Sequence, residues 1–225
     1  MVKKLEKFFL IYSEIFFADN LLLGVIIVAS TFIDPNTGLC GIIAIGSAYF
    51  FSRLTFARGL GFEPFYYYNP LLVGLSIGVL FRLSFLTVLL VFLAAIFTFI
   101  LTVGLSFLLR KYTGLPVLSI PFVIVSSFIY LATLRSSNLF AHYLQSHTPV
   151  VWAAFPSWIS GYFLSLGSIF FSSHILVGIL IAAGLLFHSR IMFFLSVIGY
   201  YAGALLTGEF NATATTTFLN LNYFN

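Results

Sequence analysis

Charged side chains are scarce in this chain. Asp, Glu, Lys and Arg make up only 7% of its 225 residues, whereas 61% are hydrophobic. No soluble domain can hide that much apolar surface from water. The alternation of polar and apolar residues that marks a membrane β-barrel strand is also missing, so the backbone must form its hydrogen bonds within helices. The composition therefore predicts an all-α integral membrane protein that lies in a lipid bilayer.

Cysteines, metal-ligand clusters and catalytic motifs are also scarce. The single cysteine, Cys40, excludes an intrachain disulfide, and the four histidines are scattered. No group of side chains has the spacing of a metal site, and no nucleotide-binding loop or nucleophile motif occurs. We therefore predict no cofactor and no enzymatic activity. The net charge of +4 comes from basic residues at the edges of apolar runs, as in membrane loops, so we expect no nucleic acid partner.

Apolar runs of two lengths alternate along the chain. A spanning helix needs about 20 apolar residues, and runs of about 10 to 14 are typical of half-spanning segments. Residues 115–134 are long enough to span but contain two prolines, which predicts a broken helix. Residues 135–149 are polar and are predicted to form a loop. One full-length run occupies residues 84–109, and three short runs occupy 21–33, 39–51 and 178–188.

The sequence repeats itself after about 154 residues. Residues 14–30, EIFFADNLLLGVIIVAS, align without a gap with residues 168–184, SIFFSSHILVGILIAAG, and seven of the seventeen positions are identical. Helices rich in Leu and Phe can resemble one another by composition alone, but two further pairs follow in the same order at a similar spacing. The repeat therefore predicts a pseudo-symmetric bundle with a substrate path at the repeat interface. The further pairs are IGSAYF (45–50) with IGYYAG (198–203), and FYYYN (65–69) with LNYFN (221–225).

The repeat also suggests how the chain is divided. Residues 1–167 are expected to form the first repeat and residues 168–225 the beginning of a second one. On this spacing a complete second copy would need roughly another hundred residues. The expectation is therefore a truncated second repeat, which means that the chain comes from a longer protein or that its partner half comes from elsewhere.

Residues 114–122, GLPVLSIPF, are the first candidate for solute chemistry. Pro116 and Pro121 cannot both lie in one undisturbed helix, so backbone carbonyls between them are freed, and Ser119 adds a hydroxyl. At membrane depth, freed carbonyls are tolerated where they face protein or a watery cavity. The alternative is a kinked helix in which Ser119 bonds to its own backbone.

Polar side chains near aromatic residues are the second candidate for contacts with a solute. Glu14 lies inside an apolar run, where a carboxylate is costly and suggests a function. The alternative is an interfacial carboxylate that pairs with Lys7 or a nearby basic group. Asp19, with Asn20 beside it, is expected to start a helix. Tyr68 offers an aromatic face next to an asparagine, although an aromatic belt at the membrane interface would explain it equally well.

Together these segments resemble the urea transporter family of trimeric urea channels. Its members begin each half with a pore helix written like Q-V-V-F-x-N-N-P-x-S-G, which corresponds to residues 14–24 and 168–178. The family element G-Y/F-N-x-x-L-V-G-L resembles YYNPLLVGL (67–75). The family element L-P-x-x-T-x-P-F resembles LPVLSIPF (115–122), with serine in place of threonine. The resemblance covers essentially the whole chain.

The resemblance implies an inverted-repeat helical bundle with half-spanning pore helices and proline-broken helices. It also implies a homotrimer in the inner or plasma membrane, and a passive channel for urea or a similar small neutral amide. In the first half, Glu14 takes the mouth of the pore, and Ile15 and Phe17 take the pore-helix wall. Tyr68 and Leu72 take positions that form a flat slot around the solute.

The remaining site residues implied by the resemblance are Ser119, as the central hydroxyl, and Ile169, Phe171 and Phe224 from the second half. The chain departs from the family pattern in several places. Ser168 stands where the family usually has Gln or Glu, and a second L-P-x-x-T segment is absent. The alternative function is therefore a membrane anchor or assembly module that carries a non-conducting, channel-like domain of a longer protein.

Overall fold

The computed structural model describes residues 2–56, 62–133, 156–172 and 174–206. These ranges are helical and contain no β-strand, in agreement with the all-α prediction. The predicted loop at 135–149 and the repeat segment at 221–225 lie outside the described residues. The helices are α1 (Val2–Ser13), α2 (Leu21–Thr31), α3 (Pro35–Phe56), α4 (Pro64–Leu80), α5 (Phe85–Tyr112), α6 (Ile120–Thr133), α7 (Ser157–Ser168), α8 (Ile175–His188) and α9 (Arg190–Leu206).

Helices α1 and α2 form a sharply bent pair. A 3₁₀ turn at Glu14–Phe16 follows α1, and Phe17 takes a left-handed conformation with φ of 53°. Asn20 then starts α2, because its side chain accepts a hydrogen bond from the Leu23 N–H at 3.0 Å. The two apolar segments meet at 84°. The expectation that residues 14–24 form one pore helix is therefore wrong for its first part, which is a turn.

Helices α7 and α8 repeat this arrangement. Phe171 has a φ of 58°, and its N–H donates to the carbonyl oxygen of Ser168 at 2.9 Å. In the first copy the Phe17 N–H donates to the Glu14 carbonyl oxygen at 2.8 Å. Helix α8 begins at Ile175, which is 154 positions after the start of α2. The sequence repeat is therefore also a repeat of backbone conformation.

A glycine in each copy lets the bent helices touch. A Cβ atom added to Gly24 would overlap the backbone carbonyl of Phe9, and one added to Gly178 would overlap that of Phe163. These glycines and their partners are also 154 positions apart. Because a carbonyl in a helix cannot move aside cheaply, only glycine fits at this contact. This explains why the two copies share a glycine here.

Helices α3, α4 and α5 pack side by side next to the first bent pair. Helix α3 approaches α4 closely, because a Cβ atom added to Gly74 would lie 2.5 Å from the Cβ of Ala44 and 2.6 Å from the carbonyl oxygen of Cys40. The side chain of Asn36 donates to the Phe81 carbonyl at 2.9 Å and accepts from the Leu83 N–H at 2.7 Å. The start of α3 is thus fastened to the end of α4.

Two helices in the described ranges are long and apolar enough to cross a membrane, namely Pro35–Thr55 and Phe85–Tyr112, and the bent pair α1–α2 would be a third. The predicted long run at 84–109 is confirmed by α5. The prediction of a short segment at 39–51 is wrong, because α3 continues at both ends to 22 residues. The short run at 178–188 agrees with the 14-residue α8. These are features of a helical membrane protein.

Helix α9 carries large apolar side chains on an exposed face. Ile191, Phe194, Leu195 and Ile198 all have more than half of their surface exposed. By the spacing of the repeat, α9 corresponds to α3, which packs on α4. Among the described residues, no helix covers the exposed face of α9.

We predict that Gly178→Ala lowers the free energy of unfolding by about 1–3 kcal/mol, because the added methyl group must push α8 away from the Phe163 carbonyl. Thermal unfolding in detergent, followed by circular dichroism, measures this. Gly199→Ala on α9 is the control, since its added Cβ meets nothing within 4 Å. A Gly178→Ala protein as stable as the control would contradict the contact.

Candidate functional site

The two repeated turns meet at a pair of equivalent phenylalanines. The ring centroids of Phe16 and Phe170 lie 5.7 Å apart, with planes tilted by 56°. The two residues are 154 positions apart, so each copy contributes the same side chain. Helices α2 and α8 also pack together, since a Cβ atom added to Gly184 would lie 2.9 Å from Leu23 Cδ1. The turns of both copies are therefore held side by side.

Phe17, the next residue of the first turn, faces α4. Its ring lies 6.1 Å from the ring of Tyr68 in an edge-on arrangement. Tyr68 also lies 5.9 Å from Phe65 and is buried. The ring of Phe17, by contrast, is 58% exposed, although it belongs to this aromatic group. It therefore presents an open aromatic surface beside a buried tyrosine.

Phe171, the equivalent residue of the second turn, faces α6 instead. Its ring lies 5.8 Å from that of Phe122. Phe122 follows the proline-flanked segment that contains Ser119. The two equivalent phenylalanines, Phe17 and Phe171, therefore meet different parts of the first copy.

The segment before α6 is broken as the prolines predict. Helix α5 ends at Tyr112, and α6 begins only at Ile120, with Pro121 in its first turn. Between them Leu118 has a left-handed φ of 47°. The carbonyl oxygen of Leu118 accepts hydrogen bonds from the Tyr68 hydroxyl and, at 3.0 Å, from the Asn69 amide. Ser119 is exposed next to it.

Backbone strain is concentrated in this site. Among the described residues, the non-glycine residues with left-handed φ are Phe17, Leu118 and Phe171. Such conformations cost about 1–3 kcal/mol each and persist where the surroundings hold them, often at functional sites. All three lie in the group of residues that joins the two turns to α4 and α6.

The structure brings some of the sequence-predicted residues together. Phe17, Tyr68 and Phe171 belong to the aromatic group, and Ser119 adjoins it through Leu118. Sequence reasoning passed over Phe122, Asn69 and the pair Phe16 and Phe170. Each of these had a visible signal: Phe122 and Asn69 stand in the family-like motifs, and the pair occurs in the repeat.

The other predicted residues lie around this group. Glu14 and Ile15 are half-buried in the first turn, and Ile169 is 39% exposed in the second. Leu72 is buried in α4, one helical turn after Tyr68. Phe224 lies outside the described residues.

The alternative partner for Glu14 is not observed. Lys7 forms its salt bridge with Glu63, with 2.9 Å between Nζ and Oε1. Both side chains are well exposed, so the pair contributes little to stability. The Lys7 part of the alternative for Glu14 is therefore wrong, and pairing of Glu14 with another basic group stays a prediction.

The arrangement offers hydrogen-bond acceptors beside aromatic faces. The acceptors are the Ser119 hydroxyl, the Glu14 carboxylate and the carbonyls of the broken segment. Within the described part of the chain, no group of His, Cys, Asp and Glu is placed to hold a metal ion. The acceptors and the aromatic faces together suit a flat, neutral solute that donates hydrogen bonds.

We expect Phe16 and Phe170 to be energetically coupled, because their rings touch across the two copies. In a double-mutant cycle with Phe16→Leu and Phe170→Leu, the coupling energy should be about 0.5–1.5 kcal/mol. Chemical unfolding in detergent measures each variant. Phe50→Leu is the control, at a side chain on α3 that is 59% exposed. Its effect on the free energy of unfolding should simply add to that of Phe170→Leu. Additivity of the Phe16 and Phe170 variants would contradict the contact.

Comparison with known families adds an independent observation. Residues 9–225, nearly the whole chain, match the profile of the family described as urea transporter. No curated protein sequence is significantly similar to the chain. Members of this family are channels, which confirms the prediction that the chain is not an enzyme. Because the match covers nearly the whole chain, the chain belongs to the urea transporter family.

Proposed function

We propose that the protein is a passive channel for urea or a similar small neutral amide, with a path between the two repeats. The observation that carries this proposal is the aromatic group that joins both turns. Phe17 and Tyr68 lie on one side of it and Phe171 and Phe122 on the other. Family membership supports the same function.

Urea needs hydrogen-bond partners along the path. Urea has four N–H donors and one carbonyl, so it loses several water contacts when it enters a narrow path. A buried polar group left unpaired costs about 1–3 kcal/mol. Acceptors such as the Ser119 hydroxyl, the Glu14 carboxylate and freed backbone carbonyls would replace the lost contacts. The flat rings would favour a planar solute, and no energy source would be needed.

The proposed roles follow the resemblance residue by residue. Glu14 would form one mouth of the path and Ser168 the other. Ser119 would supply the central hydroxyl. The proposed walls are Ile15, Phe17, Tyr68 and Leu72 from the first copy, and Ile169, Phe171 and Phe224 from the second.

The proposal extends to the organisation of the protein. The two repeats, expected at residues 1–167 and 168–225, would lie in inverted orientation, and the second would already begin with α7, because α7 matches α1. The subunits would assemble as a homotrimer in the plasma or inner membrane. These features rest on family membership, and the repeated turns at Phe17 and Phe171 support the internal symmetry.

A second candidate is a membrane anchor or assembly module whose channel-like fold does not conduct. One observation favours it: Ser168 stands where the family usually has Gln or Glu, so the second turn lacks that acceptor side chain. Transport measurements separate it from the first candidate.

We predict that proteoliposomes containing the protein take up urea faster than protein-free liposomes, because the path would spare urea the cost of dissolving in lipid. Stopped-flow light scattering measures the uptake. The rate should rise linearly with urea concentration and should not change when Na⁺ or proton gradients are removed. Dependence on an ion gradient would contradict the channel, and uptake equal to that of lipid alone would favour the anchor.

We also predict that the two mouths of the path contribute unequally to urea permeability. Glu14→Ala should lower urea permeability about 5- to 10-fold, since it removes an acceptor worth about 1 kcal/mol to the solute. Glu14→Gln keeps an acceptor oxygen and should retain most of the permeability. Ser168→Ala, the matched control in the second copy, should have a smaller effect than Glu14→Ala. Equal and negligible effects would argue against a role for Glu14 at the mouth.

A further inference from the structure

Two side chains of α4 converge on one backbone oxygen. The Tyr68 hydroxyl and the Asn69 amide Nδ2 both donate to the Leu118 carbonyl, the latter at 3.0 Å. Both donors are almost completely buried, with 1% and 0% of their surface exposed. The accepting residue is about 50 positions away in the sequence. We refer to these two hydrogen bonds as the Leu118 clamp.

The clamp acts on a strained residue. Leu118 has a φ of 47°, a conformation that an L-residue with a branched side chain avoids. Pro116 and Pro121 on either side prevent the segment from relaxing into a continuous helix. Something outside the segment must therefore hold Leu118, and the two hydrogen bonds from α4 are placed to do so.

The surroundings of the Asn69 Oδ1 atom indicate that the amide N–H group of Asn69, which donates to Leu118, is the reason for an asparagine at this position. Its Oδ1 atom is buried and has no hydrogen-bond partner in the described part of the chain. An unpaired buried acceptor costs free energy, and a leucine of similar size would avoid that cost. Stability alone does not explain an asparagine here, whereas a donor to Leu118 does.

The carbonyl of Leu118 also fixes the position of Ser119. The peptide group is planar, so the carbonyl oxygen of Leu118, the nitrogen of Ser119 and its Cα lie in one plane. Holding the oxygen therefore fixes where the nitrogen and Cα of Ser119 lie. Helix α6 holds the Ser119 backbone from the other side, because the Val123 N–H donates to the Ser119 carbonyl oxygen at 3.0 Å, and together the two contacts set the direction of the Cα–Cβ bond. Ser119 itself is exposed, so packing around its side chain does not set that direction.

We propose that Tyr68 and Asn69 are positioning residues, which hold Leu118 in its left-handed conformation and thereby aim the Ser119 hydroxyl at the passing solute. The part that concerns the solute rests on the proposed urea channel; the clamp itself does not. It assigns to Tyr68 a role through its hydroxyl in addition to its ring.

The first test is independent of transport. Tyr68→Phe and Asn69→Leu each remove one donor while keeping shape, and the double variant removes both. Hydrogen exchange of the purified protein in detergent, read by mass spectrometry on peptides covering residues 115–123, should become about tenfold faster in the double variant and less so in each single one. Tyr67→Phe is the control, because it removes a hydroxyl from the neighbouring tyrosine and keeps the buried ring that packs on Phe62 at 4.9 Å.

The second test asks whether the clamp acts through Ser119. In proteoliposomes, the double variant should reduce urea permeability about 5- to 10-fold, as Ser119→Ala should. If the clamp acts only by aiming this hydroxyl, adding Tyr68→Phe and Asn69→Leu to a Ser119→Ala protein should not lower its urea permeability further. A general structural defect would lower permeability again in that background.

Each outcome decides one part of the proposal. Unchanged exchange in the double variant would overturn the clamp. Faster exchange with unchanged urea permeability would overturn the aiming of Ser119. So would a further loss of urea permeability when the double variant is combined with Ser119→Ala. If the unaltered protein carries no urea, the proposed channel and the aiming role both fail, and the exchange experiment still decides whether the clamp holds Leu118.

Discussion

The contact between a glycine and the carbonyl of the preceding helix is the constraint on which the rest of this structure depends. It occurs at Gly24 and again at Gly178, and it lets each bent helix fold tightly back on its neighbour. The packing of α2 on α8 at Gly184 and Leu23 then brings the two turns together, so that Phe16 meets Phe170. The aromatic group of the site is assembled around that meeting point, so a packing detail determines where the two copies join.

The site combines one symmetric feature with one that breaks symmetry. The turns at Phe17 and Phe171 have the same backbone conformation. Their aromatic partners come from different helices of the first copy, because Tyr68 lies on α4 and Phe122 on α6. The strained Leu118 connects these two partners. The repeat thus supplies a pair of equivalent positions, and the first copy supplies the differing surroundings.

Much of this could be read from the sequence, for reasons that particular residues illustrate. The repeat, the shared glycine, the half-length of α2 and α8 and the break between Pro116 and Pro121 are local patterns, so they were predictable. The left-handed phenylalanines were not, because nothing in a Phe-Phe pair favours that conformation. The salt bridge of Lys7 with Glu63 and the bond from Asn69 to Leu118 join distant parts of the chain, and no local pattern encodes them.

The tight packing of α3 on α4 has a consequence for the width of the protein. It depends on small side chains at Cys40, Gly41 and Ala44. With residues 45–50 aligned to 198–203, the larger residues Phe193, Phe194 and Val197 stand at the equivalent positions of α9. Any helix laid against that face must keep its axis farther away than α4 keeps from α3. The short distance between α3 and α4 therefore cannot be reproduced on the equivalent face of α9, although the turns at the centre of the two copies have the same conformation.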